Sequence, residues 1–143
     1  MLSNTSKYAI RAVIYLELYT SDTKMAGIRE ISTELGIPSH FLGKILQMLV
    51  KHQVLESAKG PHGGFKLKKP AIDISLMDII EIFEGADIFD QCLIRTTPCS
   101  NDSHCSLHDK VSPYLEGLKK LLRTESIADL ASSFRNGNEE IRI

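Results

Sequence analysis

The sequence predicts a mostly α-helical fold with a small β-hairpin wing: a winged helix-turn-helix followed by a long dimerisation helix. Three observations carry that expectation. Residues 38–70 read as a helix, a strand, a glycine-rich turn and a second strand. A shorter helix, Ile28–Gly36, precedes them across the turn Ile37-Pro38-Ser39. A later helix bears an apolar stripe at near-heptad spacing.

In chain order, Ser3 to Ser6 offer N-caps for a first helix to about Tyr19, with Ala9, Ala12, Val13, Leu16 and Tyr19 as its inner stripe. A loop over 20–23 leads to a short helix with Ile28, Ile31 and Leu35 inward and Gly36 as its stop. Pro38 suits the start of the next helix. There Phe41, Leu42, Ile45, Leu46 and Leu49 recur at the three-and-four spacing of one buried face. The opposite face carries Ser39, His40, Gly43, Lys44, Gln47 and Lys51. Residues 54–58 and 65–68 alternate as strands around Gly60-Pro61-His62-Gly63-Gly64, a strong turn signal.

Beyond the hairpin, Ser75 and Asp78 form a capping box for a helix to Glu84, ended by Gly85. A helix from about Lys110 to Arg123 follows, with Val111, Leu115, Leu118 and Leu122 as a seam and Pro113 placed in its first turn. In a small protein that seam could simply be core, but it better suits a second copy of the chain. Ser126 and Asp129 cap a terminal helix that buries Ile127 and Leu130. The organisation expected is therefore a DNA-binding unit over 1–70, a connecting helix over 71–90, a cysteine loop over 91–109, dimerisation and terminal helices over 110–135, and a flexible tail over 136–143.

Charge separates these regions. Between Pro38 and Pro70 six lysines face one acid, Glu56, although the whole chain carries −1. From Asp73 to Asp90 there are six acids and no base. Such asymmetry is the footprint of a polyanion partner, met by residues 38–70 and avoided by the acidic segment. With 43% hydrophobic residues, 6% aromatics and no Trp, the core must be mainly aliphatic. No apolar run approaches the roughly 20 residues that cross a membrane. The N-terminal segment reads as an amphipathic helix without a small-residue cleavage site, so a cytoplasmic location is expected.

All three cysteines fall in one irregular stretch, spaced Cys92-x6-Cys99-x5-Cys105-x2-His108. Three thiolates and an imidazole are enough for a zinc ion or a 2Fe–2S cluster. The absence of a tight Cys-x2–4-Cys knuckle favours the cluster over structural zinc. A thiol–disulfide switch remains a third reading, and His104 competes with His108 as the fourth ligand.

Several segments together resemble a known family. They are Ser6-Lys7-Tyr8-Ala9, the run from Ile31 to Ile37, Phe41-Leu42-x2-Ile45-Leu46, and Lys59-Gly60-Pro61-x-Gly63-Gly64-Phe65, continuing into the cysteine loop. In these the chain resembles the IscR/NsrR/CymR-like bacterial transcription regulators of the Rrf2 family, and its three-cysteine loop resembles the cluster-binding branch. The resemblance implies a homodimer on operator DNA that senses iron–sulfur, redox or nitric oxide status through a 2Fe–2S cluster. It also places the fourth ligand on His108. The family's wing arginine is Lys59 here, which forgoes bidentate geometry.

On that basis Ser39, His40, Lys44 and Gln47 are expected to read bases, and Lys59 to probe the minor groove. Lys7, Tyr8, Lys66 and Lys68 are expected to hold phosphates. The rival expectation is a cluster-free winged-helix regulator answering to a thiol oxidant, a metabolite or a protein partner. An enzyme is not expected, because no P-loop, dinucleotide fingerprint or nucleophile–base pair at a family spacing occurs.

Overall fold

The computed structural model describes residues 2–96 and 105–137. Cys99, His104 and the tail beyond Gly137 lie outside the described residues. In chain order the elements are α1 (Asn4–Tyr19), α2 (Ile28–Leu35), α3 (Ser39–Lys51), β1 (Leu55–Ala58), β2 (Gly64–Leu67), a 3-10 turn (Ala71–Asp73), α4 (Leu76–Glu84), α5 (His108–Thr124) and α6 (Ile127–Arg135). The fold is mostly helical with one antiparallel hairpin, as expected.

The main core is built around α1, whose Ala9, Ala12, Val13 and Leu16 are completely buried. Against it pack Ile31 and Leu35 of α2, and Leu42, Ile45, Leu46 and Leu49 of α3. Small alanines on α1 let the neighbouring helices approach closely. Tyr15 joins α1 to α2 by donating a hydrogen bond to Glu30 Oε1 at 3.0 Å. Burial, then that carboxylate, pushes its phenol pKa up.

Two residues of the expected stripes are not in the core. Phe41 is 54% and Tyr19 50% exposed. At 3.6 residues per turn, Phe41 lies roughly 100° from Leu42 and so falls off the edge of the buried stripe. Tyr19 is the last residue of α1, where its ring instead tilts against Tyr15 at 4.6 Å between centroids.

The turn between α2 and α3 is held by backbone geometry. Gly36 adopts φ 72°, the left-handed conformation that glycine takes without strain, and its N–H donates to Ser32 O at 2.9 Å. Ser32 Oγ then donates to Ile37 O at 2.6 Å, and Ile37 is buried. Past α3, β1 and β2 pair with Leu55 opposite Leu67 and Glu56 opposite Lys66. Each strand begins one residue away from its expected start, because Gly64 rather than Phe65 opens the second strand's ladder. Phe65 also pairs with Ala26, exchanging N–H···O bonds of 2.8 and 3.1 Å with the loop that precedes α2. A side chain at Gly64 would place its Cβ 2.4 Å from the Ala26 carbonyl oxygen, so this clamp on the wing requires glycine.

Helices α4 and α6 start side by side. Ser75 and Ser126 each cap with the aspartate three residues on, as the sequence predicts. The two caps are bridged by Leu76 N–H to Glu125 O (3.0 Å) and Ile127 N–H to Ile74 O (2.9 Å). The far end of α4 is fixed by Glu84, whose carboxylate accepts from the Ser3 N–H at 2.8 Å and from the hydroxyls of Ser3 and Ser6.

A second small core lies between α4 and α5. Met77, Ile80 and Phe89 are buried there against Leu115, Leu118 and Leu122. Most of the seam expected to meet a second copy is thus turned toward its own chain. None of its residues is fully buried, and the strongly exposed apolar side chains of α5 are Tyr114 and Leu121. The helix also starts earlier than expected, at His108, so Pro113 sits inside it rather than in the first turn. Ile127 is fully buried and Leu130 partly so.

The Glu84 junction makes a pH-dependent contribution. Hydrogen bonds from Ser3 and then Ser6 hold its carboxyl below the usual glutamate range. A depressed folded-state pKa adds stability above the unfolded value, and that stability is lost as pH falls through the folded value. Glu84→Gln is therefore expected to lower stability at neutral pH by about 1 kcal/mol. Urea melts at descending pH should show a flatter acid limb in the variant than in the parent.

Candidate DNA interface and cysteine cleft

On α3 the buried stripe determines what faces outward. Successive residues rotate by roughly 100°, so His40, Lys44, Gln47 and Lys51 fall within an arc of roughly 60° opposite Leu42, Ile45, Leu46 and Leu49. All four are exposed. Lys51, which the spacing also places on this face, belongs to the stripe as much as the three of its residues expected to read bases. Ser39 is exposed too, but its hydroxyl donates to Ser32 Oγ at 3.0 Å and so helps close the helix-turn-helix.

The wing stands beside this helix. Lys59 is exposed at the start of its turn, and Gly60 there has φ 103°. Lys66 is less available than expected. Its ammonium pairs with Glu56 across the hairpin at 3.2 Å and donates to Asp22 O at 3.2 Å, leaving the side chain 20% exposed. Lys68 is exposed and donates to the Gln53 side chain. Gln53 itself takes the left-handed φ of 64° that reverses the chain from α3 into β1. On α1, Lys7 is exposed in the first turn, while Tyr8 packs partly against the main core.

The second candidate site is a cleft of about 310 Å³ between the start of the cysteine loop and α5. Cys92, Cys105 and His108 all line it, so the fold brings residues from both ends of the cysteine loop to one cavity. The Arg95 N–H donates to Cys92 Sγ at 3.3 Å. Phe89, Val111 and Leu115 supply apolar walls. Among the described residues, no three His, Cys, Asp or Glu side chains converge closely enough to hold a single metal ion.

Lys119 closes one side of this cleft and was not signalled by sequence, because its partner lies 29 residues away. It bonds Asp90 and reaches Glu116 Oε1 at 3.0 Å, with its side chain 14% exposed. Asp90 first, then Glu116, raise its pKa. This pair ties the start of the cysteine loop to α5.

A helix-turn-helix with an exposed basic stripe and an adjoining glycine-rich wing is the architecture of a winged-helix protein. The chain belongs to the Rrf2 family of iron-dependent transcriptional regulators, whose model matches residues 2–133. It is 34% identical over 132 residues to an HTH-type transcriptional regulator assigned in Aquifex aeolicus, covering 91% of this chain and 90% of that one. It is 29% identical over 130 residues to the transcriptional regulator NsrR of Oceanobacillus iheyensis, covering 90% and 88%. Among solved structures, CymR, the global cysteine regulator of B. subtilis, superposes with a TM-score of 0.79 at 20% identity over 92% of this chain and 96% of that one. IscR of T. potens gives 0.74 at 18% identity over 97% and 91%. At these identities the two structures establish the shared fold.

The Lys119 tie has a measurable consequence. A partly shielded ion pair is worth about 0.5–1 kcal/mol, so Lys119→Met should open the loop's start roughly two- to five-fold more often. Faster maleimide labelling of Cys92, at unchanged global melting temperature, is the expected result.

Proposed function

We propose that the protein is a homodimeric, cytoplasmic regulator that binds operator DNA through α3 and the wing. We further propose that it adjusts that binding to iron–sulfur, redox or nitric oxide status at the cysteine cleft. The observation supporting the DNA half is the exposed stripe of α3, set opposite its buried stripe and beside the basic hairpin. His40, Lys44 and Gln47 present donors and acceptors to base edges, with Ser39 at the helix start. Lys59 extends from the wing toward the minor groove. Lys7 and Lys68 contact phosphates, with Tyr8 alongside, and Lys66 joins them once its pairing with Glu56 is exchanged for a phosphate.

The cleft's donor set fits a 2Fe–2S cluster. Two thiols and an imidazole line one cavity with apolar walls, and the sequence holds a third thiol, Cys99, between Cys92 and Cys105. Cys92, Cys99, Cys105 and His108 would hold the group, which supplies a one-electron redox change when bound. Around it Phe89, Val111 and Leu115 limit water, while Lys119 holds Asp90 and so keeps Cys92 near α5. Since α5 packs on α4, and α4 is fastened to α1 through Glu84, a change in the loop reaches the helix that supports α3.

A second reading keeps the DNA function and replaces the cluster with thiol chemistry. It is favoured by the structural likeness to CymR, which in Staphylococcus aureus is known in an oxidised form.

Two measurements test these proposals. Lys44→Ala should weaken binding to selected operator DNA and lower the salt slope by about one unit if it meets a phosphate, or relax base preference by about 1–3 kcal/mol if it reads a base. An unchanged affinity and unchanged preference would remove it from the interface. Protein purified without oxygen should carry iron and inorganic sulfide at about two per chain, with absorption bands lost in Cys92→Ala and His108→Ala. Colourless, iron-free protein after anaerobic reconstitution would favour the thiol reading.

A further inference from the structure

The three-and-four spacing assigns Phe41 to the core, yet the structure leaves it 54% exposed in the first turn of α3. Its ring leans on His40, with centroids 4.3 Å apart and planes inclined by 39°. On the helix Phe41 lies roughly 100° from His40, on the flank between the outward stripe and the buried one. Met48, 38% exposed, lies two turns further along that flank, and Lys44 separates them. Single exposed apolar residues are ordinary on protein surfaces. This one differs by its address, because N-terminal residues of a recognition helix are the ones that meet base edges.

We propose that Phe41 is a specificity-determining residue that packs on the 5-methyl group of a thymine in the major groove, supported by His40. The proposal rests on α3 being the DNA-reading helix. The major-groove edge presents hydrogen-bonding groups at every base pair but one apolar feature, the thymine methyl. His40, Lys44 and Gln47 offer polar atoms, none of which distinguishes a methylated pyrimidine from an unmethylated one. A phenyl ring does, by removing the methyl from water. The flank carrying Phe41 and Met48 adjoins the lysine-bearing stripe, so docking that stripe on DNA brings the ring to the groove without a further rearrangement.

The test uses the full-length protein and a duplex selected for tight binding from a randomised library. Each thymine of that duplex is replaced in turn by deoxyuridine, which removes only the methyl. Affinities are then compared for the parent, Phe41→Ala and Phe41→Leu. At one thymine of each half-site the parent should lose about fourfold, the worth of one buried methyl group. Phe41→Ala should lose nothing further at that position, and Phe41→Leu should keep part of the discrimination. Since Phe41 is exposed, all three proteins should share a melting temperature within a degree or two. Equal losses in parent and Phe41→Ala, or no loss at any thymine, would overturn the assignment while leaving the DNA-reading account intact. Weaker self-association of Phe41→Ala with an unchanged deoxyuridine pattern would overturn it in favour of a protein contact. Failure to enrich any duplex would instead overturn the DNA-reading account beneath it.

Discussion

Burial of one stripe on α3 is the constraint on which the helix-turn-helix and its wing depend. Leu42, Ile45, Leu46 and Leu49 are held against the small residues of α1, and each buried leucine or isoleucine is worth roughly 1.5–3 kcal/mol. A helix has no freedom to rotate without exposing that face, so His40, Lys44, Gln47 and Lys51 are presented as a consequence of packing rather than by contacts of their own. The wing is fixed with equal economy. Glycine at position 64 lets the backbone at Ala26 pair with Phe65, and the hairpin is thereby attached to the loop leading into the same helix-turn-helix.

The cysteine-bearing half is joined to this body at a few defined points. Leucines of α5 pack on α4, the starts of α4 and α6 are bridged, and Glu84 draws the end of α4 to the start of α1. Lys119 adds the connection from α5 to the first residues of the cysteine loop. Each contact is modest in energy, but together they form a continuous physical route from the cleft to the core under α3. The coupling proposed between the two sites would run through these contacts, at the typical magnitude of about 1–3 kcal/mol.

Local chemistry made most of this architecture legible in advance. The capping boxes at Ser75 and Ser126, the glycine stop at Gly36 and the glycine-rich wing turn are signals contained within a few residues, and each stands where it was expected. The periodic stripes were legible too, except at their margins. Phe41 shows why: spacing identifies an apolar residue near a buried face without saying whether the face is wide enough to cover it. Long-range partners were invisible for a different reason. The bonds of Lys119 to Asp90, of Glu84 to Ser3, and of Lys66 to Asp22 join residues that only the tertiary fold brings together. The seam on α5 was legible as a seam, but spacing cannot say which surface covers it, and here α4 does so in part. For the cleft, spacing suggested candidate donors, and the fold places Cys92, Cys105 and His108 in the lining of one cavity.

The central claim is that the cleft and the DNA-reading helix belong to one regulatory unit. The most direct measurement is the affinity of the full-length protein for its selected operator at fixed salt. It would be made with the iron–sulfur-loaded protein and again after anaerobic removal of iron, with Lys119→Met run in parallel. The account predicts at least a five-fold difference between loaded and stripped protein, the lower end of ordinary allosteric coupling, and a smaller difference in the variant. Identical affinities for loaded and stripped protein would contradict it and leave a DNA-binding protein whose cysteine cleft serves some other end.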